Sequence, residues 1–165
     1  MKTGLRLVLC LVILVGLISA ITAVAQLPDK KVLTLTGAKQ LAAAAAAEAV
    51  KNKWNVVIAI VDDGGSLIYL ERLDETQIGS IEVAIQKAQT SVNFKRPSKM
   101  LEEALVEKGR TPILKLPGGI PIEGGLPIVV NDKVIGGIGV SGVTAQQDGQ
   151  IAKAGVDALP KVLGQ

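Results

Sequence analysis

Two pairs of apolar segments, each pair joined by a tight turn, constrain this chain more than any other feature. The first pair is WNVVIAIVD (54–62) and LIYLERLD (67–74), with DGGS (63–66) between them. The first segment is almost wholly apolar and rich in β-branched residues, as a central strand is, and the turn residues accept tight backbone conformations. Its partner alternates, with Leu67, Tyr69 and Glu71 on one face and Ile68, Leu70 and Arg72 on the other. The second pair is LPIVV (126–130) and KVIGGIGVSG (133–142), separated by Asn131-Asp132, a dipeptide that tolerates positive φ. Strands joined so closely can only pair antiparallel. Pro127 lacks a backbone N–H and places its strand at an edge or at an unpaired start.

The stretches between the hairpins read as helices. Thr36 can cap GAKQLAAAAAAEAVKNK (37–53), where alanine gives both high helix propensity and a small face for close packing. Residues 77–94 carry Ile78, Ile81, Ala84, Ile85, Ala88 and Val92 at helical spacing and stop before Pro97. Ser98 can cap a further helix that ends at Gly109. Residues 110–123 are irregular and hold three prolines. Thr144 and Gln147 have capping-box spacing at the head of the last helix, which carries Ile151, Ala154, Ala158 and Leu159. The class expected is α+β: an antiparallel sheet of about five strands with helices packed on it.

The first 25 residues have the layout of a secretory signal peptide. Lys2 and Arg6 precede an apolar run from Leu7 to about Ile18, and Ala23-Val24-Ala25 forms an A-x-A cleavage pattern before Gln26. The run is short of the roughly 20 residues that a spanning helix needs. Cleavage would leave residues 26–165 as one domain, periplasmic or extracellular, with no membrane partner. Losing Lys2 and Arg6 takes the 18 cationic residues to 16 against 15 acids, a charge near +1. No long-range basic field then invites nucleic acid. FKRPSK (94–99) is basic, but with Trp54, Tyr69 and Phe94 the only aromatics there is no stacking platform.

The chain has no histidine, and its one cysteine, Cys10, leaves with the signal. Histidine acid/base catalysis, a histidine metal site and a cysteine nucleophile are excluded for the mature chain. Gly137, Gly139 and Gly142 spell G-x-G-x-x-G, but no further strand with an acidic residue follows to hold a ribose. Glycine within a strand marks close backbone approach instead. The doubled GGIPI (118–122) and GGLPI (124–128) lacks the Lys-Ser or Lys-Thr of a P-loop. The first copy sits in the irregular connection, where its backbone N–H groups can rim a pocket.

Three blocks taken together resemble one family. They are VVIAIVDDGGSLIYLERLD (56–74), with Asp62, Gly64, Gly65, Arg72 and Asp74; IQKAQTS (85–91), with Lys87, Ala88 and Thr90; and EGGLPIVVNDKVIGGIGVSGVTAQQDGQIAKAG (123–155). The chain is identified over 33–160 as a member of the GlcG/HbpS-like, or haem-degrading domain, family, related to the C-terminal domain of PduO. The resemblance implies profilin-like α/β/α layering, homo-oligomers, and binding or sensing of a small ligand. Haem is among the ligands implied, here without His or Cys ligation, leaving Tyr69 and Met100 as the side chains that could meet iron.

The ligand-binding residues implied by the matched blocks, with the 118–119 glycines of the adjoining connection, are Arg72, Lys87, Thr90, Gly118, Gly119, Glu123, Gly124, Gly125, Ser141 and Asp148. Two readings stand. In one they form a cleft, with Arg72 or Lys87 holding a carboxylate while Thr90, Ser141 and the 118–125 backbone donate hydrogen bonds. Glu123 or Asp148 would then be the general base of an alternative activity, acid/base catalysis on a small organic acid. In the other reading each is structural: Asp62 organises the 62–66 turn, Asp74 caps the next helix, Asp148 suits a helix N-terminus, and Tyr69 and Met100 are packing residues.

Overall fold

The structure is a computed structural model that describes residue 27 and residues 29–164. The expected signal peptide lies outside the described residues. Strands β1 (Val57–Asp62), β2 (Leu67–Arg72), β3 (Gly125–Val130) and β4 (Lys133–Ser141) form one antiparallel sheet in the order β2-β1-β4-β3. The helices are α1 (Leu35–Asn52), α2 (Ser80–Asn93), α3 (Lys99–Val106), α4 (Ala145–Asp157) and the short α5 (Leu159–Val162), with a 3-10 turn at Thr111–Lys115. The α+β class and its layering hold. The sheet has four strands rather than about five, because neither 29–33 nor 116–124 joins it as a strand.

Each hairpin is closed by the chemistry its turn contains. Asp62 Oδ1 accepts from the backbone N–H of Gly64 and of Ser66, each at 2.8 Å, so it does organise its turn. Asn131 and Asp132 take the positive φ values, 49° and 59°, that their hairpin requires. Pro127 lies on β3, which is an edge strand.

Period-two alternation splits the core into two layers. Val56, Ile58 and Ile60 of the β1 segment, Ile138 and Val140 of β4, and Ile128 of β3 face α1 and α4, against Leu41, Ala45 and Ile151. The opposite face of β1 presents Val57, Ala59 and Val61 to Ala84, Ala88 and Val92 of α2. On that same face β4 presents almost no side chain. A Cβ at Gly139 would lie 2.0 Å from the carbonyl oxygen of Ala84 and 2.5 Å from the backbone nitrogen of Ala88. One at Gly125 of β3 would lie 2.1 Å from the carbonyl oxygen of Lys87. Helix α2 therefore rests backbone against backbone on β3 and β4, which is the close approach that glycine in a strand permits.

Several helix ends differ from their sequence signals. Thr34, not Thr36, caps α1, its Oγ1 accepting from the Gly37 N–H at 3.1 Å. Asp74 caps nothing, since α2 starts after Gly79, and α3 ends at Val106 rather than at Gly109. Ser98 stands at the head of α3 but its hydroxyl is used elsewhere. Met100 is not a packing residue: it is half exposed on α3. The capping box of α4 is present as expected.

The glycine floor makes a stability prediction. Gly139→Ala forces a methyl into the backbone of α2 and should cost about 1–3 kcal/mol or more in urea unfolding, as overpacked cores do. Gly64→Ala, whose added Cβ meets only Asp62 Oδ1 at 3.3 Å, should stay within about 0.5 kcal/mol, as open surface changes do.

Candidate functional site

Helix α2, the end of β4 and the start of α4 converge on a buried ion pair. The alternation of α2 turns Lys87 toward the sheet together with Ala84 and Ala88, and α2 sits so low that the long side chain passes under it. Its Nζ donates to Asp148 Oδ2 at 2.8 Å and to the carbonyl oxygen of Val140 at 3.0 Å. Lys87 and Asp148 are each 2% exposed. Asp148 lies in the first turn of α4, where the helix dipole favours a carboxylate, and its Oδ1 accepts from the Val143 N–H at 3.2 Å. Burial pushes the Asp148 carboxyl above the usual range, against the opposing pull of its hydrogen bond to Lys87, the Lys87 charge and the backbone N–H donors.

Gly124 closes the pair from above. It has φ 126°, a conformation for glycine alone, and a Cβ there would meet the Val140 carbonyl oxygen at 2.7 Å and Lys87 Nζ at 2.9 Å. Its own carbonyl accepts from the Val140 N–H at 3.0 Å. The loop that ends in Gly124 and Gly125 is pinned along its length. Thr90 Oγ1 accepts from the Ile120 N–H at 2.9 Å while donating to the Gln86 carbonyl at 2.7 Å. Asn93 Nδ2 donates to the Gly118 carbonyl at 3.0 Å. Ser98 Oγ donates to the Ile122 carbonyl at 2.6 Å and accepts from the Gly125 N–H at 2.9 Å.

Between this loop and α2 runs a groove of about 250 Å³ lined by Glu82, Gln86, Gln89, Gly118, Gly119 and Ile120. On the loop's other side Glu123 pairs with Lys99 at 3.2 Å and packs against Gly149, where a Cβ would come within 2.5 Å of Glu123 Oε1.

Of the sequence-derived site residues, Lys87, Gly124, Gly125 and Asp148 thus come together as a closed, buried cluster. Thr90, Gly118 and Gly119 frame the adjoining groove, and Glu123 lies outside it on the loop's other side. Ser141 is buried and donates to Ser80 Oγ at 3.3 Å. Arg72 is apart from the loop, exposed at the end of edge strand β2; it registers with Val57, which registers in turn with Ser141. Sequence reasoning missed Asn93, Ser98, Gln86 and Gln89. The first could have been found from its spacing, since Gln86, Thr90 and Asn93 fall one turn apart on α2. Among the described residues no three His, Cys, Asp or Glu side chains gather closely enough to hold a metal ion.

The profile of the family described as haem degrading protein HbpS-like matches residues 33–157. This chain belongs to that family. It is 41% identical to protein GlcG of Escherichia coli strain K12 over 112 residues, 68% of this chain and 83% of GlcG. A double mutant of HbpS from Streptomyces reticuli has the same fold, with a TM-score of 0.74 and 31% identity over 82% of this chain and 92% of that one. A crystal structure of a PduOC complex with haem superposes with a TM-score of 0.71 and 27% identity, covering 78% of this chain and 95% of that chain. The buried pair, the Gly124 closure and the pinned loop all lie within the matched 33–157 span of this HbpS-like chain.

The pair makes a prediction for this chain. Lys87→Met or Asp148→Leu alone strands a buried charge and should cost about 3–5 kcal/mol in chemical denaturation. The double variant should recover much of that loss, so the two effects will fall well short of additive.

Proposed function

We propose that this chain is an exported protein that binds a small organic ligand at the groove between α2 and the 118–125 loop. The observation that carries this reading is the loop's attachment. Thr90, Asn93 and Ser98 hold its backbone in place from three points, beside a groove of about 250 Å³. Such pinning pre-organises the backbone groups of the loop for a ligand before it arrives. Family membership supports the ligand class, since a relative of similar fold is described as a haem complex.

The residues present do not fit an iron-ligated haem. The chain has no histidine. Tyr69 donates its hydroxyl to Glu71 at 3.1 Å on the edge strand, Met100 is half exposed on α3, and neither lines the groove. Haem as a ligand of this chain would be held through its ring and propionates. Self-association is part of the proposal, supported by the exposed Ile78, Val106 and Leu114.

A second reading is favoured by one observation, the raised Asp148 carboxyl beside Lys87. Acid/base catalysis on a small organic acid would need the Gly124 closure to open, because both groups are buried. Turnover of such an acid that survives Asp148→Asn unchanged sinks this reading.

Haem titration tests the ligand. The expected result is a broad Soret change without the sharp bands of a histidine-ligated iron, and about ten-fold weaker binding in Thr90→Val, which leaves the Ile120 N–H unpaired, a loss of about 1.4 kcal/mol. An unchanged Soret band removes haem. A mature protein whose N-terminal residue is other than Gln26 contradicts the expected cleavage.

A further inference from the structure

At the C-terminal end of α2 the β3–β4 hairpin, the 95–96 turn, the β1–β2 turn and the segment before α1 enclose a groove of about 550 Å³. None of the ten candidate ligand-binding residues named from the sequence lines it. Its apolar lining is Val92, Val129 and Val134. Val92 is 5% exposed and belongs to the α2-side core, whereas Val129 is 41% exposed on the edge strand. Around these valines stand Lys30, Lys95 and Lys133, with Asp63 and Asp132 as the only lining carboxylates.

The charges are unevenly matched. Asp63 is engaged by Lys30 in an ion pair. Lys133 donates to the backbone carbonyl of Asp29, which leaves its charge uncompensated. Among the described residues no carboxylate lies within ion-pair distance of Lys95 or Lys133. Asp132 is exposed and held at φ 59° by the hairpin. Lys95 is itself at φ 50°, in the left-handed region that non-glycine residues rarely adopt. Lys95 takes it as part of the C-terminal cap of α2, where the Lys95 and Arg96 N–H groups donate to the Val92 and Ser91 carbonyls, each at 3.2 Å.

The lining thus sets three lysines against two carboxylates, a net charge of +1, around an apolar floor. We propose that this groove binds a small organic carboxylate with a compact or linear apolar body, its carboxylate between Lys95 and Lys133 and its body on Val92, Val129 and Val134. The volume lies within the range of small-molecule sites, which are mostly apolar with a few placed polar groups. This site is independent of the loop groove, and either can exist without the other.

The test uses the mature chain with methyl-labelled valine and two probes below their micelle concentrations, decanoate and decyltrimethylammonium. Decanoate should move the methyl signals of Val92, Val129 and Val134 first, and its affinity should fall as salt is raised. Lys95→Gln with Lys133→Gln should weaken it at least ten-fold, while Thr90→Val leaves it unchanged. The cationic probe should bind at least ten-fold more weakly than decanoate. Equal binding of both probes, an unaffected double lysine variant, or shifts centred on Val50 or Val162 at the other helical face would each overturn the proposal. Because both lysines are surface residues, the double variant is expected to fold, and an unchanged valine spectrum without ligand verifies it.

Discussion

Lys87 reaches Asp148 through the interior, and most of what surrounds the candidate site depends on that reach. The two groups come from opposite layers, one from α2 and one from the first turn of α4, and meet at the end of β4. An ion pair this deeply buried is costly to desolvate, and its Coulomb attraction repays that cost only with good geometry and further hydrogen bonds. Both are present: Val140 takes a second Lys87 proton and the Val143 N–H satisfies the other carboxylate oxygen. Burial nevertheless holds the Asp148 carboxyl above its usual range. A raised carboxyl also fixes the direction of its pH effect. The stability that Asp148 contributes is present below the ordinary carboxylate range and declines as pH rises through the raised value.

The pair is possible because α2 lies unusually low. Glycines in β3 and β4 remove most of the side chains that would hold the helix off the sheet, and alanines do the same from the helix side. The consequence is functional as well as architectural. A helix seated this deeply puts Thr90 and Asn93 level with the 118–125 loop, so the loop can be tied down by side chains of modest length. Gly124 then closes the pair in a conformation and a space that only glycine can occupy. The proposed binding groove is the gap left between a loop fixed from within and the outer face of the same helix.

Much of this was legible in the sequence where the signal is local. Both hairpins, the Asp62 turn, the capping box at Thr144 and the edge position of Pro127 follow from residues a few positions apart. The matched blocks also name Lys87, Asp148 and Gly124, which the fold brings into one region. What was not legible depends on contacts distant in sequence. Ser98 reads as a helix cap because its neighbours are helical, yet a loop 24 residues away captures its hydroxyl. Lys87 reads as a ligand-binding cation, because nothing local says that the strand beneath it is bare glycine. Arg72 shares a family block with the site but is carried to an edge strand by the order of the sheet. The lysine-rimmed groove carries no local signal of its own, being assembled from four separate segments, at Lys30, Asp63, Val92 to Lys95 and Val129 to Val134.

The claim that a buried, hydrogen-bonded Lys87–Asp148 pair anchors the site is tested most directly by carboxyl carbon NMR of Asp148 across a pH titration. The account predicts a midpoint above the ordinary value of about 3.9 for an aspartate, with the Lys87 ammonium protons exchanging slowly enough to be observed over the same range. A midpoint at that ordinary value, with rapidly exchanging Lys87 protons, would mean that the pair is open to water and would contradict the account.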